Sequence, residues 1–396
     1  MKQLILKIID KNFFLSQLFF NYNLFKYLKH QKWILKIFQI NVINLHFKKS
    51  QILKLDIKLC GKIKKEYLED ISNKENSLIS NLWKDDLVQF TKKKISHFFL
   101  YETPNFLSNQ LNTIFRSKYV FGLSSGMAFK YQNSFFSRKI WTLKYLDLII
   151  SLCEYYSILR HESPAQGKTG ANLKQNLKIL INKIEKKSKL NLDFPNIGSP
   201  YGININNKLI TFENLEHLYG VERSWSNINL FQGNNKNKIN VIEIGGGYGG
   251  FARLFNLKNS KKIKSYTLVD LPLMLAFQKY FLFKCLKKNK IKKIKFLTPE
   301  KFLKNSLKYR YDVLINQNSF AEMNKKIVNK YLTFFEKNHN KNALLISLNH
   351  EAVSKYKGKL QVSLPEVTSK RKKFQKLSRN LSWVRGGYVE EVYRLS

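Results

Sequence analysis

Ile239-Asn-Val-Ile-Glu-Ile-Gly-Gly-Gly-Tyr-Gly-Gly-Phe-Ala-Arg-Leu-Phe255 decides the fold. An apolar, β-branched run ends in glycines, and a helix-like run follows. Ile239–Ile244 carries Val or Ile at most positions, as a parallel strand buried on both faces does. Gly245, Gly246, Gly247 and Gly249 let the chain turn tightly and approach a ligand where a Cβ would clash. The helix that opens at Gly250 points its free N–H groups at whatever is bound.

The glycines read two ways. Gly245, Gly247 and Gly250 fit the dinucleotide fingerprint G-x-G-x-x-G. Glu243, Gly245, Gly247 and Gly249 fit the acidic-x-G-x-G-x-G signature of S-adenosylmethionine (SAM) methyltransferases. The second reading gives Glu243 a task, since a carboxylate at the strand end can help hold the cationic methionine end of SAM, directly or through water. In the first reading a pyrophosphate sits there, and the carboxylate repels it. Glycines alone are weak evidence, and a tight turn with no ligand is the plain alternative. Ser265-Tyr-Thr-Leu-Val-Asp270 adds a second strand ending in an acid. Asp270 lies about 20 residues beyond the glycines, where a carboxylate reaches ribose hydroxyls. Both cofactors use that contact. The plain alternative is an N-cap for the helix opening at Pro272.

Composition bounds the rest. The 396 residues suffice for two domains, each with a core. With 44% hydrophobic and 14% aromatic residues, the chain is not of the disordered class. The net charge of +43 comes mostly from Lys, in a chain also rich in Asn and Ile. An AT-rich genome gives that bias, and so does selection for an anionic partner such as nucleic acid, a phosphorylated carrier or a membrane face. Cys60, Cys153 and Cys285 are far apart and show no metal spacing, which argues for a reducing compartment without a disulfide framework. No signal peptide is visible, and no uncharged apolar run reaches the roughly 18 residues of a span. Ile140–Leu159 comes nearest and carries Lys144, Asp147 and Glu154. A cytoplasmic location and a metal-independent site are the expectations.

The chain divides into three. Residues 1–190 read as a mainly α-helical N-terminal domain of unassigned role. Phe13, Phe14, Leu18, Phe19, Leu24, Phe25 and Leu28 recur at helical spacing. Such a basic amphipathic surface also suits an anionic membrane. Gly122–Gly126 marks a turn, and Ile140–Arg160 and Leu173–Leu190 read as helices. Gln166-Gly-Lys-Thr169 fails as a phosphate loop, because Glu162 stands where a glycine is required. Residues 191–235 read as a connecting or lid segment. It holds a hairpin over Ile203–Ile210 and a Thr211-capped helix over Leu215–Tyr219. Tyr201, His217, Tyr219, Arg223 and Trp225 suit either a lid or ordinary packing.

From residue 236 to 396 strands and helices alternate, which implies a Rossmann-like α/β domain. Strands are expected at Val241–Ile244, Tyr266–Asp270, Ile294–Leu297, Tyr311–Asn316 and Ala343–Leu348. Helices are expected at Gly250–Leu257, Pro272–Lys287, Pro299–Leu307 and Glu322–Lys337. Lys359–Leu364 and Gly387–Arg394 then read as a closing pair of strands. A pair without long crossovers suits the mostly parallel seven-stranded methyltransferase sheet, whose last strand is antiparallel.

Ligands of such sheets bind outside the carboxyl ends of the strands. The candidate cofactor residues are therefore Glu243, Gly245, Gly246, Gly247, Gly249, Asp270, Leu271, Asn316 and Asn318. Asn316, Asn318 and Ser319 can orient a hydroxyl or the methionine end of the cofactor, or simply make a turn. Glu322 suits a site or a helix dipole. His350 is the candidate general base, with Glu351 orienting it or serving instead.

Val241-Ile-Glu-Ile-Gly-Gly-Gly-Tyr-Gly-Gly-Phe-Ala-Arg253, Tyr266-Thr-Leu-Val-Asp-Leu-Pro272, Gln278-Lys-Tyr-Phe-Leu282 and Asn316-Gln-Asn-Ser-Phe-Ala-Glu-Met323 stand in this order. Together they resemble the sugar O-methyltransferase family, a branch of the class I SAM-dependent methyltransferases. Gly198-Ser-Pro-Tyr-Gly202 resembles that family's entry to the domain. The resemblance covers the C-terminal half. It implies SAM as cofactor and a sugar or glycan hydroxyl as acceptor, free, nucleotide-linked or lipid-linked, in surface polysaccharide pathways. It implies Glu243, Gly245, Gly247 and Asp270 at the cofactor, and Asn318 and Glu322 in the site.

Three rivals stand beside it. Lys287–Lys295 and Lys370–Lys373 suggest a nucleic-acid methyltransferase. Against that, Asn316-Gln-Asn-Ser319 lacks the Pro-Pro-aromatic of base amino-methylases, and no Pro-Cys supplies a nucleophile. The others are a non-catalytic scaffold of the same fold at an anionic membrane, and a nicotinamide oxidoreductase.

Overall fold

The glycine-rich stretch begins at the centre of a seven-stranded sheet. The computed structural model describes residues 12, 28–72, 86–117, 134–163, 165, 169–233, 238–304, 310–351 and 362–396. The sheet comprises β4 (Ile239–Ile244), β5 (Ile263–Val269), β6 (Ile294–Leu297), β7 (Tyr311–Gln317), β8 (His339–His350), β9 (Phe374–Leu381) and β10 (Tyr388–Leu395), in the order β6-β5-β4-β7-β8-β10-β9. The pairs β4–β5, β4–β7, β5–β6 and β7–β8 are parallel. β10 runs antiparallel between β8 and β9. The order reverses direction at β4, so the crevice of a doubly wound sheet opens where the glycines lie.

Register brings the expected site residues to one edge. Ile244 pairs with Val269, Glu243 with Ile315, Gln317 with Leu348 and His350 with Tyr388. Gly245, Asp270, Asn318 and His350 therefore all lie at the carboxyl edge of the parallel strands. Alternate residues of β4 serve two cores. Val241 joins the larger apolar cluster, and Ile242 and Ile244 join the smaller one.

The closing pair of strands needs a correction. Residues 359–361 lie outside the described residues, and Leu364–Thr368 is a short helix, not the end of a strand. The edge strand is β9, directly after the basic run Lys370–Lys373. Its Lys376, Arg379 and Asn380 face outward or sit half-exposed, and charge of that kind is what protects an edge strand from pairing with another chain.

The helices, in chain order, are α1 (Lys54–Ser72), α2 (Asp86–Tyr101), α3 (Pro104–Asn112), α4 (Phe135–Tyr155), α5 (Leu177–Ser188), α6 (Phe212–Gln232), α7 (Gly250–Lys258), α8 (Pro272–Cys285), α9 (Lys288–Ile291), α10 (Pro299–Lys304), α11 (Lys325–Lys337) and α12 (Leu364–Thr368). Thr211 caps α6 by accepting from the Asn214 amide at 3.2 Å. The helix then runs to Gln232, well past the expected Tyr219. The hairpin lies where the asparagines predict: β2 (Tyr201–Ile205) and β3 (Lys208–Ile210) meet at Asn206 and Asn207, with φ of 53° and 60°. β1 (Leu45–Phe47) adds a third strand alongside β2.

The apolar cluster that contains Val241 runs without a break from Trp33 through α4 to Val392. The N-terminal helices thus share a core with the sheet. Their acids add to that contact, with Asp56 of α1 2.8 Å from Lys284 and Glu66 2.7 Å from Lys279, both on α8. The candidate helices over 13–27, the turn at 122–126 and most of Gln166–Thr169 lie outside the described residues. Among the described residues no helix is long and apolar enough to cross a membrane.

Two long-range groupings escape the sequence. His30, Glu154 and His161 bring donor atoms within 4.8 Å of one another, so a group with metal-ligand chemistry does exist. Charges inside the protein already balance there. Lys29 reaches Glu154 at 2.7 Å and His30 reaches Asp147 at 2.8 Å, so the group is an ion-pair network pinning residues 29 and 30 to α4. Trp225, a lid candidate, is instead buried and stacked on Phe255 at 4.5 Å. Tyr219 and Arg223 are braces, both bonded to Glu390 of β10, the arginine at 2.6 Å.

Candidate functional site

The site is built where β4 ends. Gly245 turns with φ +75°, and its amide donates to Val269 O at 2.9 Å, holding the loop to β5. A Cβ at this position would overlap Ser319. That serine is itself fixed. Its hydroxyl donates to Ile244 O at 2.9 Å and lies 2.5 Å from Asn316 Nδ2. Asn316 also donates to Ile244 O at 2.8 Å, and its carbonyl accepts from Phe320 N and Asn349 Nδ2, each at 2.9 Å. Both amide hydrogens and the carbonyl of this buried asparagine are spent inside the protein. Asn316 therefore braces the ends of β4, β7 and β8 and offers a cofactor no free hydrogen.

Gly247 differs from Gly245. Its φ is +55°, but a Cβ there would meet nothing within 4 Å. The loop is open at this point, with Gly245, Gly246 and Gly247 all half-buried. Gly249, with φ +94°, forms the N-cap of α7, and no side chain caps the first turn.

Asp270, just past β5, is drawn onto this loop. Its carboxylate accepts from the Gly246 and Gly247 amides, from Leu271 N at 2.8 Å and from Gln278 Nε2 at 2.8 Å. Burial pushes its carboxyl up to about 7, with those four donors pulling the other way. Leu271 is half-buried and is the N-cap residue of α8. Leu271 N meets Asp270 Oδ1 and Gln278 Nε2 meets Oδ2, so each carboxylate oxygen accepts one of these bonds at 2.8 Å.

Glu243 lies beneath the loop. It is 2% exposed, and Tyr266 donates its hydroxyl to Glu243 Oε2 at 2.5 Å. Burial pushes the Glu243 carboxyl up to about 8, Tyr266 opposes that, and the Asp270 charge adds to it. At neutral pH Glu243 holds its proton, and a cation brought alongside would favour the charged form.

The other candidates sit on the β7–β8 side. Asn318 turns with φ 62°, and its amide donates to Leu348 O at 3.0 Å, which brings it to the edge between the two strands. Glu322 ends a 3-10 turn, Phe320–Glu322, directly after it. His350 is the last residue of β8, its ring 5.5 Å from Tyr388. Glu351 does not orient His350 through its carboxylate, which is held by Arg379 of β9 and accepts from Ser363 Oγ at 2.8 Å. Burial works to raise its carboxyl, but Arg379 and Ser363 prevail and hold it below the ordinary value, so it is a poor base.

Gln278 was not among the sequence candidates. Its Nε2 bridges Asp270 and Gly247 O, the latter at 3.0 Å. One signal was available, since Leu273–Phe283 is apolar except for Gln278 and Lys279, and a buried amide in such a run needs a partner.

No protein-family model matches the chain, and no curated protein does. Several solved structures are similar to it in part. The N-methyltransferase NodS of Bradyrhizobium japonicum, in complex with S-adenosyl-L-homocysteine, shares 14% identity over 45% of this chain and 87% of its own, with a TM-score of 0.33. The glycopeptide N-methyltransferase MtfA shares 9% over 45% and 90%, with a TM-score of 0.35. The mitomycin 7-O-methyltransferase MmcR shares 12% over 47% and 58%, with a TM-score of 0.34. Likeness of this degree leaves the functional reading to rest on the chain's own sheet order and on the cradle between β4 and β5.

Proposed function

We propose that the protein is a SAM-dependent O-methyltransferase acting on a sugar or glycan hydroxyl. The observation that carries the reading is the Asp270 carboxylate held against the Gly246 and Gly247 amides, beside open space at Gly247, whose φ of +55° favours glycine. Asp270 is suited to the ribose hydroxyls, and Glu243 to the cationic end. The seven strands, mostly parallel with β10 antiparallel, fit the methyltransferase sheet expected from the sequence, and the order β6-β5-β4-β7-β8-β10-β9 puts the glycine turn at its switch point. The ordered motifs from Val241 to Met323 support the sugar acceptor.

SAM supplies a methyl group on a sulfonium, ready for in-line displacement. The chain's own residues position the partners and move a proton. The glycine turn and Asp270 hold one side of the crevice. The ends of β7 and β8, braced by Asn316, present Asn318, Glu322 and His350 on the other. A sugar hydroxyl has a high pKa, so it needs a base as it attacks. His350 at the end of β8 takes that role, since Glu351 is committed to Arg379.

Isothermal titration with SAM tests the reading directly. Asp270→Ala is expected to weaken binding by about 1–3 kcal/mol, the loss of a hydrogen bond to a charged group. Because burial lifts Asp270 to about 7, the carboxylate fraction grows between pH 6 and 8. Hydroxyl donors favour the carboxylate, so wild-type affinity should rise with pH across that window and Asp270→Ala should show no such rise. Equal affinity of the two proteins would remove the ribose role. For the base, His350→Gln should leave SAM affinity unchanged and lower turnover on a sugar acceptor by roughly 100-fold. A turnover number like that of wild type would rule it out.

A further inference from the structure

Lys144 stands in the middle of α4, and its ammonium is uncommitted. On the same helix Lys139 donates to Phe38 O, Asp147 accepts from His30 N, and Glu154 accepts from Lys29. Among the described residues, Nζ of Lys144 has no hydrogen bond or ion pair. It lies 4.3 Å from the centre of the Phe212 ring and 4.9 Å from that of Trp141. Those rings attract a cation but leave unused the three N–H bonds an ammonium can donate. A methionine would pack on both rings with no charge to desolvate, so the charge itself needs a reason. Lys144 is partly exposed, although its neighbours Leu143 and Tyr145 are buried. Burial nonetheless pushes its ammonium down to about 8, with Glu216 opposing, Arg385 adding, and Glu213 and Asp147 opposing. A side chain that water reaches and the protein still desolvates lies at the bottom of a recess.

A run of contacts joins this recess to the reacting edge of the sheet. Glu216 of α6 meets Arg385 at 3.2 Å, the Arg385 guanidinium lies 4.0 Å over the Tyr388 ring, and that ring is 5.5 Å from His350. One residue further along α6, His217 packs on Tyr248 of the glycine stretch, with ring centres 5.7 Å apart. Lys144, Glu216, His217, Arg385, Tyr388 and His350 are all partly exposed. Glu216 is committed to Arg385, whereas Lys144 has no counter-ion in contact.

We propose that Lys144 is a binding residue for an anionic oxygen carried by the acceptor, either the carboxylate of an acidic sugar or the phosphate of a sugar phosphate. The inference rests on the methyl-transfer reading above and names its acceptor class. The ammonium donates to the anion at one end of the acceptor, and the hydroxyl to be methylated lies toward His350 at the other. A neutral hydroxyl would take one N–H bond and leave the desolvated charge uncompensated. An anion supplies both the acceptor and the counter-charge.

The test is calorimetric and needs no turnover. The full chain is first saturated with S-adenosylhomocysteine, then titrated with glucuronate and with glucose 1-phosphate, each against glucose. At least one acidic sugar should bind about tenfold more tightly than glucose, and which of the two does so identifies the anion. Lys144→Met should remove most of that preference, Lys144→Arg should keep part of it, and both should bind S-adenosylhomocysteine as wild type does. In wild type the preference should shrink between pH 7 and pH 9 as the ammonium loses its proton, and in Lys144→Met it should not change over that range. The proposal falls if neither acidic sugar binds more tightly than glucose, or if Lys144→Met keeps the wild-type preference. Should Lys144→Met unfold, the pH series on wild type decides, and a preference that is flat to pH 9 overturns the proposal. Failure of S-adenosylhomocysteine to bind at the outset is a different result, and overturns the cofactor reading together with this one.

Discussion

Gly247→Val should leave the protein folded and abolish SAM binding. The position has φ +55°, which strains a β-branched residue and costs about 1–3 kcal/mol of stability. Nothing in the protein stands within 4 Å of the new Cβ, however, so no packing is lost. The side chain instead fills the opening over the loop, where the ligand belongs. Affinity should fall by roughly 100-fold or more, about 3 kcal/mol. Gly245→Val is the contrast. Its Cβ overlaps Ser319, whose hydroxyl and the Asn316 amide hold Ile244 O. That variant should lose stability outright, by about 2–4 kcal/mol from overpacking and strain together. Thermal unfolding and titration of the two proteins separate the effects. A Gly247→Val protein that binds SAM as wild type does would remove the cradle from the site.

Glu243→Gln should raise stability at alkaline pH and change it little at pH 4. The folded-state carboxyl is pushed up to about 8, whereas an unfolded glutamate titrates near its ordinary value. Between those two values the folded protein binds the extra proton, so wild-type stability falls as pH rises through the window and levels off above it. Glutamine keeps an acceptor for the Tyr266 hydroxyl and has no charge to bury. Its advantage should therefore grow with pH and reach a few kcal/mol by pH 9, on the order of 1.4 kcal/mol for each tenfold difference in proton affinity between the folded and unfolded chain. The Asp270 charge acts on Glu243, so the midpoint belongs to the pair. Denaturant unfolding at pH 4, 6 and 9 measures the effect. A constant difference between the two proteins would mean that Glu243 is not buried in its charged form.

The sheet centre was legible because its signals are local. A β-branched run, five glycines and an acid at the end of the next strand each act within a few residues, and backbone sterics leave little else for such a sequence to do. The same holds for Thr211 as a cap and for the Asn206-Asn207 turn. The edge strand was harder. β9 covers no crossover helix, and its polar residues face water, so its pattern is that of a loop until β10 pairs with it.

The amino-acid order by itself determined the α/β class, the place of the glycine turn and the acid beside it. It also determined which residues would lie at the carboxyl ends of the strands. Tertiary structure alone decided what those residues do once there. Asn316 is spent on Ile244 and Ser319, and Glu351 on Arg379, 28 positions away. Gln278 faces the loop 31 positions before it, and the N-terminal acids meet lysines more than 200 positions later. A polar side chain carries its hydrogen-bonding capacity in its own chemistry, but which partner satisfies it is set by the elements that packing brings alongside, and that distance is not written in any local pattern.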